Sequence, residues 1–396
     1  MSKANKKLKI GIDCYKLEDL TGSQRAGVGR HLYKLLEEIS KRPQLADEFK
    51  FYLYFKGHIP ADIPFFNNPI FVKKVAKLPF FLPFFRPSYN IYFHIALPIF
   101  ALKDRIDATF FASFMLPALF VTKSIVVLTN DIYYEYKCGS LPKKYKIAYR
   151  LFSNWAARRA TQVTTQTYAS RDEISKYFNL DKDKIFVAPL GVDAQEYEPT
   201  ESVRKKYYIL YVGQAFPRRH LCETLLAFEK ISPEFPDLKF IAIGIDKYNP
   251  PIITKLIKDI NERLGDKVIW KQGVNDDELR KLYQEAKLFT YISSSEAMGL
   301  PPLEALAAGT APVVADTSTT REIFSAEGGS ASGGGNLAFY VRNPNNINNI
   351  AEVLRKALKN DAECRKITEG RGEVLEKYTW ERHADLMLEL FRHTAK

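Results

Sequence analysis

The sequence predicts an α/β protein of two domains, each a parallel sheet wrapped by helices. Three observations predict it. The chain has 396 residues, more than one ordinary hydrophobic core organises. Short β-branched and aromatic runs alternate with helical segments from end to end, which is the pattern of parallel strands joined by crossover helices. A charged break after P-L-G-V-D (residues 189–193) splits the alternation into two sets, so each half reads as a Rossmann-like domain.

In the first half, strands are expected at Leu8–Asp13, Lys50–Phe55, Ala108–Ala112, Ser124–Thr129, Gln162–Gln166 and Ile185–Pro189. In the second they are expected at Tyr208–Gly213, Lys239–Ile245, Lys267–Lys271, Leu288–Ile292, Pro312–Ala315 and Ala338–Val341. The domain limits are then 1–193 and 207–378, with an exposed linker at 194–206 and a terminal helix within 379–396. Phe324–Asn336, rich in Gly and Ser, reads as a surface loop.

Leu78–Phe100 has its own character, L-P-F-F-L-P-F-F-R-P-S-Y-N-I-Y-F-H-I-A-L-P-I-F. Its prolines forbid a spanning helix. Two readings stay open: an interfacial segment resting on a membrane, and a buried arm packed on the first domain. Lys73, Lys74, Lys77 and Arg86 lean toward an anionic surface.

The formal net charge is +12, and it is unevenly placed. Residues 1–193 hold 30 Lys and Arg against 17 Asp and Glu, so the first half carries the whole excess. Such a half suits an anionic partner: nucleic acid, a phosphorylated acceptor or an acidic membrane surface. Cys14, Cys138, Cys222 and Cys364 form no C-x-x-C pair, which suggests reduced cytosolic thiols and no metal site. Asp181-Lys-Asp183 reads as a solvated turn, not a metal-binding pair. The apolar run Leu8–Ile12 is too short for a signal peptide.

The chemistry concentrates at residues 293–316, S-S-S-E-A-M-G-L-P-P-L-E-A-L-A-A-G-T-A-P-V-V-A-D. Pro301 and Pro302 mark a helix start and Gly309 its end. Glu296 then precedes the helix, and Glu304 lies about one turn inside it. Amides at Gly299 and Leu300 sit at the positive end of the helix dipole, a seat for a diphosphate. A nucleotide-sugar fits: its ribose hydroxyls reach Glu304 and its sugar hydroxyls reach Glu296.

With its glycine-proline turn, small-residue helix and following strand, this segment resembles the E-x7-E signature of the family 4 glycosyltransferases. The resemblance runs from about Lys9 to Arg392 and is weakest over 56–105. It implies the GT-B fold, two Rossmann-like domains facing across a cleft with the last helix crossing back to the first domain. It also implies retaining, metal-independent transfer from a nucleotide-sugar, with no cofactor. In Y-I-L-Y-V-G-Q-A-F-P-R-R-H-L, residues 208–221, Gly213 ends the strand and Arg218 and Arg219 take the places of the family's Arg-Lys pair. Fixed cations there would stabilise the leaving diphosphate, and both arginines are expected exposed in the cleft. Arg219 keeps the usual lysine's charge with different geometry.

The same resemblance sets Gly27 and Gly29, in T-G-S-Q-R-A-G-V-G-R-H-L-Y-K, on a loop near phosphates and acceptor. It sets Val274, in Gln272-Gly273-Val274, against the nucleotide base. In Thr129-Asn130-Asp131-Ile132, Asn130 replaces a histidine thought to support the reacting sugar, and Asn cannot titrate near neutral pH. Retaining transfer in this family is usually drawn as front-side attack, in which the leaving phosphate takes the acceptor proton. The G-L-P-P-L-E variant looks like that of mannosyltransferases using GDP-mannose. The implied acceptor is a lipid-linked or growing surface glycan, met at the cytoplasmic face of a membrane.

Three rivals remain. A Rossmann dehydrogenase needs G-x-G-x-x-G directly after its first strand, and that loop lacks it. A nucleic-acid binder accounts for the charge but not for the near-neutral half carrying the glutamates, and no RNA-binding signature is present. A binding-only relative draws on Asn130, against which stand Glu296, Glu304, Arg218 and Arg219.

Overall fold

A computed structural model of the protein describes residues 6–19, 27–78, 88–139, 141–199, 203–325 and 336–396. The first sheet contains β1 (Leu8–Asp13), β2 (Phe49–Phe55), β3 (Phe71–Val75), β4 (Ala108–Phe111), β5 (Ser124–Val127), β6 (Gln162–Thr165) and β7 (Ile185–Val187), in the order β3-β2-β1-β4-β5-β6-β7. The second contains β8 (Lys206–Val212), β9 (Lys239–Ile243), β10 (Val268–Lys271), β11 (Ala286–Tyr291), β12 (Pro312–Ala315) and β13 (Phe339–Val341), in the order β10-β9-β8-β11-β12-β13. Every pairing among these strands is parallel. The chain is therefore an α/β protein of two parallel-sheet domains.

Strand alternation divides the first core in two. On one face, Ile10, Ile12, Phe51, Leu53, Phe110, Ile125 and Val127 pack together. On the other, Tyr54, Phe111 and Val126 point the opposite way, into a second cluster, as period-two side-chain direction requires. Both faces are buried, as a parallel sheet demands. The terminal helix, Trp380–Ala395, supplies Ala384, Met387, Leu388, Leu390 and Phe391 to the first cluster, so it crosses back onto the N-terminal domain. Arg392 fixes it with two hydrogen bonds to Glu48, 2.7 and 2.9 Å.

Two elements differ from expectation. β3, F-V-K-K-V, was not anticipated, because its two lysines disguise a sheet-edge strand. Lys74 there pairs with Asp104 and lies over the Tyr52 ring, so it is tied into the domain edge. The linker also holds a one-turn helix, Ala194–Tyr197, whose Tyr197 is buried in the C-terminal core. Of the aromatic stretch, Tyr92, Phe93 and Leu97 are core residues, while Phe80, Phe81, Phe84, Phe85 and Arg86 lie outside the described residues. Among those described, no helix is long and apolar enough to cross a membrane.

Each sheet reverses its strand order at one place, between β1 and β4 and between β8 and β11. Such a switch point leaves a crevice at the carboxyl ends of the strands, where α/β proteins bind ligands. β8 runs there into Gly213–Arg219, and β11 into Ser293–Glu296.

Candidate active site

The glutamate segment folds as strand, loop and helix. After β11, residues 292–299 form the loop and Leu300–Ala307 the helix. Gly299 caps it at φ 86°, a left-handed conformation that side chains disfavour. No side chain caps this end, and Pro301 and Pro302 have no N–H to give. The open donors of the first turn are thus the Gly299 and Leu300 amides, at the positive end of the helix dipole. Leu303, Ala305, Leu306 and Ala307 are buried, which accounts for the small-residue composition.

Glu304 is buried in the second turn. Its Oε1 pairs with the Arg30 guanidinium, and its Oε2 accepts a 2.9 Å hydrogen bond from the Tyr283 hydroxyl. Arg30 comes from the other domain, in the first turn of the Val28–Ser40 helix, and also approaches Asp193 at 3.4 Å. Gly27 is the N-cap of that helix, and Gly29, expected on the loop, is instead buried within its first turn; residues 20–26 of the loop lie outside the described residues.

Glu296 is held by the β8 loop. Arg219 donates through Nε to Oε1 at 2.7 Å and through Nη2 to Oε2 at 3.4 Å. Ser293 Oγ and Tyr291 OH donate at 3.1 and 3.2 Å. Burial by itself would push this carboxyl up, but the charges of Arg219 and Arg218 and these hydrogen bonds outweigh it and hold it down to about 2. Glu296 is an anion at neutral pH. Arg219 reaches it past Gly213, where a Cβ would stand 3.3 Å from the guanidinium and 3.2 Å from the Tyr291 ring. Gly213 keeps that passage open.

The two arginines are not exposed in the cleft, contrary to expectation. Arg218 is 4% exposed. It pairs with Asp131 at 3.1 Å and with Glu135, both on the Asn130–Lys137 helix of the N-terminal domain, and donates to the Ser295 carbonyl at 3.1 Å. Its Nε lies 3.7 Å from Glu296. Two cations thus face the three carboxylates Asp131, Glu135 and Glu296. Burial pushes the Glu135 carboxyl up despite Arg218. Asn130 turns away from this cluster, donating to Glu173 at 2.9 Å and accepting from Ser170 at 3.4 Å. Val274 is half-buried against the C-terminal core.

Further contacts close the domains on one another. Thr167 Oγ1 donates to the Ala297 carbonyl at 2.9 Å. The Tyr168 and Ala169 amides, opening the Tyr168–Phe178 helix, donate to the Glu322 carboxylate at 2.9 and 2.7 Å. An anion at a helix N-terminus is a favourable pairing. Sequence reading missed Arg30, Tyr283, Glu135 and Glu322. A signal existed only for Glu135, four residues after Asp131 and so on the same helix face. A surface concavity of about 660 Å³ lies elsewhere, walled by Leu226, Lys230, Asn343, Asn345, Asn346, Ile347 and Asn348, without any of these groups.

Among the described residues no cluster of three or more His, Cys, Asp or Glu is arranged to hold a metal ion.

Two family models match the chain. Glycosyltransferase Family 4 covers residues 25–196 and Glycosyl transferases group 1 covers residues 193–372. The O-antigen chain mannosyltransferase RfbU of Salmonella typhimurium is 28% identical over 179 residues, 45% of this chain and 49% of the relative. The MMP alpha-(1->4)-mannosyltransferase of Mycolicibacterium hassiacum is 25% identical over 226 residues, 57% of this chain and 52% of the relative. The chain thus spans about half the length of these curated relatives. Among solved structures, sucrose-phosphate synthase from Thermosynechococcus elongatus superposes with a TM-score of 0.71 at 16% identity, covering 98% of this chain and 99% of that one. HepE of Anabaena, in complex with UDP and glucose, gives 0.67 at 13% identity, over 98% and 100%. These neighbours show the GT-B fold.

Proposed function

Since the chain belongs to the family 4 glycosyltransferases, we propose that it moves a hexose from a nucleotide-sugar to a glycan acceptor with retention of configuration. The observation that carries this reading is the placement of Glu296 and Glu304 on either side of the open Gly299 and Leu300 amides, at the switch point of the second sheet. The diphosphate sits on those amides. The ribose hydroxyls bond to Glu304, and the sugar hydroxyls to Glu296.

Glu296 is ionised, so it accepts hydrogen bonds from sugar hydroxyls and is not a general acid at neutral pH. As the glycosidic bond breaks, negative charge grows on the leaving phosphate. Arg219, supported by Arg218, stabilises that charge, a contribution of about 3–4 kcal/mol for one such donor. The leaving phosphate takes the acceptor proton, so Asn130 needs no titratable group. Transfer then proceeds without a metal, and a chelator leaves it intact. Val274 lies against the nucleotide base.

Mannose from GDP-mannose is the donor we favour, on the strength of the mannosyltransferase relatives. A UDP-sugar is the second reading, favoured by the UDP and glucose in the HepE structure. The acceptor, a lipid-linked or growing surface glycan, approaches the basic N-terminal domain beside Gly27 and Gly29, where the Val28–Ser40 helix starts, at the cytoplasmic face of a membrane. Incubation with a panel of nucleotide-sugars, with the product's anomeric configuration read by NMR, tests the proposal. Retention of the donor configuration is the expected result. Inversion would overturn the retaining assignment, and no donor consumption with any sugar would favour a binding-only relative.

A further inference from the structure

The Lys143–Arg159 helix turns an apolar stripe to solvent. Ile147, Leu151 and Trp155, spaced i, i+4 and i+8, are 59%, 65% and 38% exposed. A helix resting on a domain by one face ordinarily turns polar residues outward. Here Lys144 and Arg158 stand only at the two ends of the stripe. The helix carries six basic residues and no acidic one, and none of the six joins an ion pair among the described residues. Lys144 and Arg159 instead lie over the rings of Tyr145 and Trp155, at 5.0 and 5.5 Å.

The inward face is well anchored, so the outward face is a fixed surface. Ser153, Ala156 and Ala157 are buried, and Phe152 stacks on His94 with centroids 6.1 Å apart. His94 also accepts the Ala118 amide at 3.1 Å. Through it the helix adjoins further exposed apolar residues: Ile95 beside His94, and Leu119 and Val121 just past Ala118, which are 37%, 61% and 72% exposed.

We propose that this outward face docks the chain on an anionic lipid bilayer. A bilayer presents headgroup charge to the cations and, a few ångströms deeper, acyl chains to Ile147, Leu151 and Trp155. Nucleic acid would satisfy the cations and leave Leu151 in water. A second copy of the face would oppose like charge to like. The site differs from the aromatic stretch singled out in the sequence, whose Tyr92, Phe93 and Leu97 belong to the core. It deepens the proposed function by giving a lipid-linked acceptor a place of encounter, and it rests on that reading for its purpose alone.

Sedimentation of the full chain with vesicles tests it, comparing phosphatidylcholine alone with a mixture holding about one-third phosphatidylglycerol. Binding is expected only to the anionic vesicles, falling as salt rises. Trp155 emission should shift to the blue and be quenched by brominated acyl chains, and Trp155→Phe should abolish that signal. Arg150→Glu with Arg158→Glu should weaken binding by about tenfold or more. Leu151→Asp should weaken it too, each variant melting like the wild type because the replaced side chains are exposed. Arg150→Gln with Arg158→Gln serves if the reversed pair fails to fold. Indifference of the wild type to anionic vesicles would overturn the proposal, as would undiminished binding by the charge variants. A dimer dispersed by Leu151→Asp would overturn it in favour of self-association. Vesicle binding without donor consumption would keep the docking face and discard the proposed function; consumption without binding would do the reverse.

Discussion

Glu296 and Glu304 are the same side chain eight positions apart, and the proposed function gives them different work. Glu304 is shared between Arg30 and the Tyr283 hydroxyl, beside the proposed ribose position that every donor and product would occupy. Glu296 is wrapped by Arg219, Ser293 and Tyr291 at the proposed sugar position. Calorimetry with a free nucleoside diphosphate should show Glu304→Gln losing roughly tenfold or more in affinity, the worth of a hydrogen bond to a charged group. Glu296→Gln should lose much less; equal losses would contradict the assignment. Arg218→Ala is expected to unfold the chain more easily, by about 3–5 kcal/mol in a denaturant titration, because it strands buried carboxylates. A loss below about 1 kcal/mol would mean the Asp131 and Glu135 pairs are weak. The glutamates were legible in the sequence because the Gly-Leu-Pro-Pro turn fixes their local geometry. Arg30 and Glu322 were not, because their partners lie in the other domain and no local pattern marks a contact across a cleft.

Among the elements, the terminal helix carries a pH dependence through His383. His383 Nδ1 lies 2.9 Å from the Pro189 carbonyl, which can only accept, so that nitrogen bears the proton. Its Nε2 then accepts from His31 Nε2–H at 2.8 Å. Protonating His383 at Nε2 would set N–H against N–H across this contact. Burial pushes His383 down to about 4; burial and the neighbouring His383 push His31 down as well. Unfolded, each ring returns to its ordinary 6.5. Below that value the unfolded chain binds more protons, so stability is whole above 6.5 and lost as pH falls toward about 4. The slope is at most about 1.4 kcal/mol per pH unit for each ring. Denaturant titrations across this range should show it, and His31→Gln with His383→Gln should flatten it; a flat wild type would contradict the neutral pair. The expected strands were legible for a simple reason: runs such as Y-I-L-Y-V and P-V-V-A are buried on both faces. β3 was hidden because an edge strand tolerates lysines that a central strand cannot.

For the whole molecule, the two domains meet through ion pairs and hydrogen bonds: Arg30 on Glu304, Arg218 on Asp131 and Glu135, and two helix amides on Glu322. Contacts of this kind part more readily than an apolar interface, so relative domain motion is expected, and donor entry would exchange part of this network for contacts with the nucleotide-sugar. The division into two α/β domains was legible because length and alternation are properties of the entire chain. The closed, charge-paired cleft was not, since it depends on how the halves meet. Activity in the presence of a chelator should match activity without it, and strict dependence on an added divalent ion would contradict the arginine-based scheme. The central claim is that Glu296 serves transfer and Glu304 serves nucleotide binding at one site. Turnover of wild type and Glu296→Gln at saturating nucleotide-sugar tests it most directly. The account predicts that Glu296→Gln still binds the nucleoside diphosphate but loses about a hundredfold or more in turnover; near-normal turnover in that variant would contradict it.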